Sequence, residues 1–324
     1  MVFKNALNLL IDNFVLNFKL LLYKIIIGVL AIALSAALLY PTLNMLFTSS
    51  AFNDVLDLLH QFFKALVSGD SAFLAGFAPE LQDKISALLA FIRERSSNVV
   101  FFFVSLTAIL LITRFLGGMG NYVFGKVLDD RMSSYAKTSV SGAFVSNLGR
   151  AALWHVVYVP VTFVYDILVV ALCYVFFLIL LSIISVGVIA SVVALMLSVA
   201  LLIASQAVKL TLFSDAVPAM VSDGMSLGAA LKKSFRIGRS RFASLFATYL
   251  ITVYIILLVN VLGAIASFGA ALLITIPMTY IMLIAIQFVS YYEDNKKKYF
   301  LAADNIVKPK EDKSEENFYD DFEI

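Results

Sequence analysis

Six uninterrupted apolar runs constrain this chain more than any other feature of its sequence. A helix needs about 20 consecutive apolar residues to cross the hydrocarbon core of a bilayer, and runs of this length recur along the chain. The predicted spans cover residues 21–39, 98–116, 154–182, 188–213, 242–265 and 271–291. Since these runs are continuous and do not alternate, they exclude a β-barrel. The sequence therefore predicts an all-α, polytopic transmembrane helical bundle.

The composition agrees with this class of protein. Hydrophobic residues make up 61% of the chain and charged residues 14%, whereas soluble domains carry roughly 25% charged residues. The single cysteine, Cys173, lies inside an apolar run, so the chain forms no internal disulfide.

The positions of the basic residues predict the orientation. Lys4, Lys19 and Lys24 flank the near side of the first span, and Lys296–Lys298 follow the last one. Because cytoplasmic loops are enriched in Lys and Arg, both termini are expected in the cytoplasm of a multi-pass cell-membrane protein.

Amphipathic segments connect the spans. Residues 1–19 predict an interfacial helix, and the outer segment 48–97 predicts two helices that lie on the membrane surface or cap a cavity. The segment Met225–Phe246 is predicted to be one elbow helix along the membrane. Its basic face, which we expect to meet anionic headgroups, consists of Lys232, Lys233, Arg236, Arg239 and Arg241.

The sequence also contains a glycine-rich stretch, a repeated pattern and an acidic C-terminal segment. Residues 117–120, Gly-Gly-Met-Gly, are expected to end the second span. Residues 129–153 resemble residues 222–245, which suggests that an elbow followed by a helical hairpin is repeated. The acidic residues 304–324 are expected to be disordered and to offer a surface for a protein partner.

The elbow sequence carries a family resemblance. The run Ala230–Ile237, ALKKSFRI, followed by Arg241-Phe242, resembles a diffuse set of bacterial integral membrane proteins. These include the membrane domain attached to some glycerophosphoryl diester phosphodiesterases. The resemblance covers spans four to six and implies the architecture. It implies no active site, because catalysis in those proteins belongs to a separate soluble barrel.

Ionisable residues within or at the ends of spans are the candidate site. Asp166 lies in the third span, and Arg114 and Lys209 lie near the inner ends of the second and fourth spans. A charge in a span is a functional candidate because its burial is costly. Asp166 has two interpretations, a proton, cation or substrate site and a carboxyl group that fixes helix packing. The basic pair either extends to the headgroups or converges on a lipid phosphate or anionic substrate.

The sequence lacks the signals of an enzyme. His60 and His155 are predicted on opposite faces of the membrane, and no catalytic motif is present. We expect no catalytic residue, metal, cofactor or nucleic-acid partner. Two functions remain, the binding or transport of a lipid or small amphiphile, and a non-catalytic scaffold, assembly factor or stress-linked regulator.

Overall fold

The computed structural model describes residues 2–183 and 187–308. The helices are α1 (Val2–Asp12), α2 (Val15–Leu38), α3 (Tyr40–Phe47), α4 (Ser50–Ser68), α5 (Ser71–Glu94), α6 (Ser96–Ser134), α7 (Val140–Ile183), α8 (Gly187–Leu212), α9 (Ala216–Ser222), α10 (Leu227–Phe235), α11 (Arg239–Ala266) and α12 (Leu272–Asp294). An antiparallel hairpin of β1 (Tyr299–Ala302) and β2 (Asn305–Val307) follows them.

Six helical segments are long and apolar enough to cross a membrane, which confirms the all-α polytopic bundle. They are Val15–Leu38, Ser96–Ser134, Val140–Ile183, Ile189–Ser222, Arg239–Ala266 and Leu272–Asp294. Their outward side chains are large and apolar, as a lipid-facing surface requires.

The chain forms two compact units, which are described separately. The first contains residues 1–25 and 115–324, and the second contains residues 26–114. In the second unit, α4 and α5 form a helical hairpin in which Phe62 stacks on Phe77 at 4.2 Å between ring centroids. Gly69 ends α4 in the left-handed conformation that favours glycine, and Asp70 caps the start of α5.

Helix α12 is the centre of the first unit. In its most apolar window 44% of the residues are buried, compared with 6–17% in the other spans. Helix α1 packs against it, and Asn5 donates hydrogen bonds to Glu293 (2.9 Å) and Tyr299 (3.0 Å). The N-terminal helix α1 and the strand β1 that follows the last span therefore lie on one side of the bundle, as an even number of spans requires. We call this side, where α1, α9, α10, β1 and the end of α12 meet, the terminal face.

Helix α6 extends past the predicted end of the second span. Helix α6 continues through Gly117–Gly120 to Ser134, and α7 runs from Val140 to Ile183. At 1.5 Å per residue these helices are about 58 and 66 Å long, roughly twice the thickness of the hydrocarbon core. Their ends therefore project beyond the bilayer, and the connection between them is the short stretch 135–139.

The predicted elbows differ in detail from the observed ones. The interfacial helix ends at Asp12, and residues 15–19 already belong to α2. The segment Met225–Phe246 is two helices, because the chain turns at Arg236 and Gly238 is extended (φ −66°, ψ 152°). The predicted disordered tail begins too early, since Asn305–Val307 pairs with β1; residues 309–324 lie outside the described residues.

Candidate functional site

The structure brings Asp166 and Lys209 together across α7 and α8. The Lys209 ammonium donates to Asp166 Oδ1 at 2.7 Å, and Gln206 Nε2 donates to the same oxygen at 3.3 Å. Only 13% of the Lys209 side chain and 19% of the Asp166 side chain are exposed. Next to this pair, the Tyr165 hydroxyl donates to the Ser205 carbonyl at 2.7 Å.

This ion pair bears on the two interpretations of Lys209. Its ammonium is bonded to Asp166 inside the bundle, a contact that neither interpretation included. For Asp166 the geometry favours the packing interpretation, because its charge is neutralised by a neighbouring helix. Arg114, the third predicted member, lies on α6, is exposed and belongs to the second unit.

A double-mutant cycle measures how strongly this pair holds α7 to α8. We expect Asp166→Asn and Lys209→Gln each to lower the free energy of unfolding by about 1–3 kcal/mol, because each leaves a charged partner unsatisfied. The double variant should be less destabilised than the sum of the two. Lys84→Gln, which removes an exposed ion pair with Asp54, is the control and should change stability by less than about 1 kcal/mol. Additive single effects would contradict a direct interaction.

Sequence reasoning missed a second polar cluster, at the end of α12. Five consecutive residues, Tyr291–Asn295, contact different elements of the terminal face. Their partners are Asp223 and Lys233 for Tyr291, Asp129 and Ser222 for Tyr292, Asn5 and Tyr299 for Glu293, Arg241 for Asp294, and Lys233 for Asn295. The signal was the sequence YYEDN after the last span, but its partners lie as far as 288 residues away.

Tyr291 lies between charges of both signs. Its hydroxyl donates to Asp223 and accepts a hydrogen bond from the Lys233 ammonium at 2.6 Å, and the Lys297 ammonium also donates to Asp223. Burial alone would raise the pKa of Asp223, but hydrogen bonds from Lys297 and Tyr291 and the charges of Lys297 and Lys233 lower it below its ordinary value. Asp223 is therefore ionised at neutral pH.

Tyr292 joins the two segments that resemble each other in sequence. Its hydroxyl donates to buried Asp129 at 2.7 Å, and Ser222, the residue aligned with Asp129, also donates to that carboxylate. The neighbouring Asp130 accepts hydrogen bonds from Lys126 and Thr138, at 2.7 and 2.6 Å. The repeated segments therefore meet at α12.

Arg241 neutralises two carboxylates at the start of α11. Its Nη2 donates to Asp215 Oδ1 at 2.6 Å, and its Nε pairs with Asp294. The Asp215 side chain is only 1% exposed, so its charge depends on this arginine.

The structure divides the predicted basic face. Lys233 and Arg241 form ion pairs inside the terminal face, whereas Lys232, Arg236 and Arg239 are exposed. The division runs within each helix, because residues one or two positions apart on a helix point in different directions: Lys232 and Lys233 both lie on α10, and Arg239 and Arg241 both lie on α11. The prediction of contact with anionic headgroups remains for the three exposed residues.

The glycines that were expected to form a turn are a helix-packing surface. A Cβ atom on Gly118 would lie closer than 3.0 Å to the His155 ring, and one on Gly120 closer than 3.0 Å to the Tyr23 ring. Tyr23 donates its hydroxyl to the Leu116 carbonyl at 2.7 Å, and Lys24 donates to the Gly117 carbonyl at 3.0 Å. The absence of side chains on α6 thus lets α2 and α7 approach it closely.

An apolar groove of about 140 Å³ lies between α1, α11 and α12. Its walls include Leu7 and Leu10 from α1 and Ile256 and Val259 from α11. The hydroxyls of the three threonines that line it donate to acceptors within the helices, so their protons are not available to an occupant. The three bonds run from Thr252 to the Thr248 carbonyl, from Thr275 to Asn260 Oδ1 and from Thr279 to the Thr275 carbonyl.

Asn260 on α11 forms hydrogen bonds with Thr275 and Thr279 on α12 and so links the two helices. In the described residues, no group of three or more His, Cys, Asp or Glu side chains is arranged to hold a metal ion.

Comparison of the chain with protein-family models, with curated proteins and with solved structures gave no match.

Proposed function

We propose that this integral membrane protein binds a lipid or small amphiphile, with an acyl chain in the groove between α1, α11 and α12. The groove carries the proposal because its walls are apolar and its threonine hydroxyls are already bonded. Such a surface suits hydrocarbon, since a polar occupant would leave its own groups without partners.

Retention in the groove must come from close packing, because lipid tails are as apolar as the groove walls. The exposed basic residues Lys232, Arg236 and Arg239 supply a second attraction, toward anionic headgroups at the terminal face. The combination favours an anionic amphiphile over a zwitterionic one.

Native mass spectrometry of the protein in mild detergent tests this proposal. We expect the wild-type protein to retain one lipid per chain, and Val259→Trp, which fills the groove, to lower that retention about tenfold, or ~1.4 kcal/mol. Val261→Trp is a matched control, because Val261 lies on the same helix, does not line the groove and is similarly exposed (46%, compared with 49% for Val259). Equal retention by both variants would contradict binding in the groove.

We also propose that both termini are cytoplasmic. The basic residues of the terminal face, including Lys232 and Lys296–Lys298, support this orientation. A thiol-reactive, membrane-impermeant label tests it on Lys298→Cys in a Cys173→Ser background. Labelling in inverted vesicles but not in intact cells is expected, and labelling in intact cells would overturn the orientation.

A non-catalytic scaffold is the second candidate. The hairpin of α4 and α5 favours this candidate. Three large apolar side chains of α4, outside the spans, are at least half exposed: Phe63 (62%), Leu66 (50%) and Val67 (91%). An apolar surface of this kind suits either the membrane surface or a protein partner. A wild-type protein that carries no lipid but retains another polypeptide in the same mass spectrum would favour the scaffold.

A further inference from the structure

The interior face of α2 carries polar side chains where a span usually carries apolar ones. Asn17, Leu20 and Lys24 lie on one side of the helix, and Asn13 precedes it on the same side. Asn13 and Asn17 are each only 3% exposed. This face packs along the segment of α6 that follows Leu116, as the bonds of Tyr23 and Lys24 to that segment show.

Several buried polar atoms along this seam have no hydrogen-bond partner among residues 2–183 and 187–308. They are both amide atoms of Asn17, Oδ1 of Asn13 and Oδ1 of Asn121. Buried polar groups are nearly always hydrogen-bonded, so such a group of unsatisfied atoms indicates a missing polar partner.

Lys24 adds an uncompensated charge to the same face. Its ammonium donates to the Gly117 carbonyl at 3.0 Å and lies 4.2 Å from the centre of the Tyr280 ring. Within the described residues no carboxylate lies at ion-pairing distance from it, in contrast to Lys209 and Arg241. A cation inside a span without a counter-ion is expensive and marks a functional site by default.

We propose that Lys24 binds an anionic oxygen group, the carboxylate or phosphate of an amphiphile that enters from the terminal face, and that Asn17 binds polar groups beside it. The two residues are seven positions apart, about 10 Å along α2, and Asn17 lies near the start of the helix. The anionic oxygens accept hydrogen bonds from Lys24 and neutralise its charge. The amide of Asn17 binds the polar groups beside them.

This site is separate from the apolar groove. Tyr280, which contacts Lys24, is two residues from each of the groove residues Met278 and Met282, and therefore faces another side of α12. The inference extends the proposed function without depending on the groove.

Thermal unfolding of the full chain in phosphatidylcholine nanodiscs tests the inference. Oleate, phosphatidylglycerol or inorganic phosphate is added to separate samples. We expect oleate or phosphatidylglycerol to raise the melting temperature of the wild-type protein by several degrees. Lys24→Gln should abolish this rise with either addition, and Asn17→Leu should reduce the rise with phosphatidylglycerol, which carries polar groups besides its phosphate. Lys19→Gln, an exposed change on the same helix, and Val259→Trp in the groove should retain it.

The measurement without anion distinguishes binding from a structural role. There, Lys24→Gln and Asn17→Leu should be at least as stable as the wild-type protein, because the first removes a charge that has no counter-ion in the described part of the chain and the second removes amide atoms that have no hydrogen-bond partner there. If the role of Lys24 were structural, Lys24→Gln would instead lower the melting temperature equally in every lipid. That result would overturn the inference. A rise that persists in Lys24→Gln, or no rise in the wild-type protein, would also overturn it. An equal rise with inorganic phosphate would support the site and identify free phosphate as its ligand.

Discussion

Gly118→Ala is expected to destabilise the protein by about 1–3 kcal/mol, although it adds a single methyl group to a helix. The new Cβ would fall closer than 3.0 Å to ring atoms of His155. That ring has no room to move, because it is 3% exposed and its Nδ1 bonds the Ala151 carbonyl at 2.7 Å. Phe115, Trp154 and Tyr158 surround it with edge contacts. The change therefore forces α6 and α7 apart.

Gly149→Ala is the matched control for this prediction. Gly149 also lies inside a helix, but nothing lies within 4 Å of the position of its added Cβ. Alanine there should be neutral or stabilising by up to about 1 kcal/mol, because glycine is a poor helix former. Both free energies follow from reversible unfolding in mixed micelles. Gly118→Ala as stable as Gly149→Ala would refute the close contact of α6 with α7.

Arg241→Gln is expected to lower the free energy of unfolding by about 3–5 kcal/mol. The change leaves the carboxylate of Asp215, 1% exposed, without its ion-pair partner, and it also removes the partner of Asp294. Arg241→Lys should be intermediate, because an ammonium cannot present the two donors that the guanidinium directs at two carboxylates.

Arg239→Gln supplies the comparison for Arg241→Gln. Arg239 begins the same helix but is exposed, so its loss should change stability by less than about 0.5 kcal/mol. The same unfolding assay measures both variants. Similar stabilities for Arg239→Gln and Arg241→Gln would mean that the ion pairs of Arg241 contribute little.

The comparison of sequence and structure separates local signals from distant ones. The lengths of the apolar runs were enough to predict six spans, because a bilayer imposes that length on each helix. The ends of α6 and α7 were not predictable, because a helix continues outside the bilayer wherever other helices support it. Gly117–Gly120 were misread for a different reason. Glycine is common both in turns and at close contacts between helices, and a local pattern does not distinguish the two.

The site residues show the same limit. Asp166 and Lys209 were selected as charges near apolar runs, and their pairing follows from the contact of α7 with α8. Lys24 was used only to predict the orientation of the first span, yet its ammonium contacts α6 and α12. The roles of Tyr291–Asn295 depend on partners distributed over the whole chain, which no local pattern reveals.

Photo-crosslinking in a bilayer tests the central proposal, lipid binding in the groove, most directly. The protein is reconstituted with a phospholipid that carries a photoreactive group on its acyl chain, and the labelled peptides are identified after irradiation. We predict labelling concentrated on α1 and on the groove residues of α11 and α12, and its loss in Val259→Trp but not in Val261→Trp. Labelling spread evenly over exposed spans such as α7, and unchanged in Val259→Trp, would contradict the proposal.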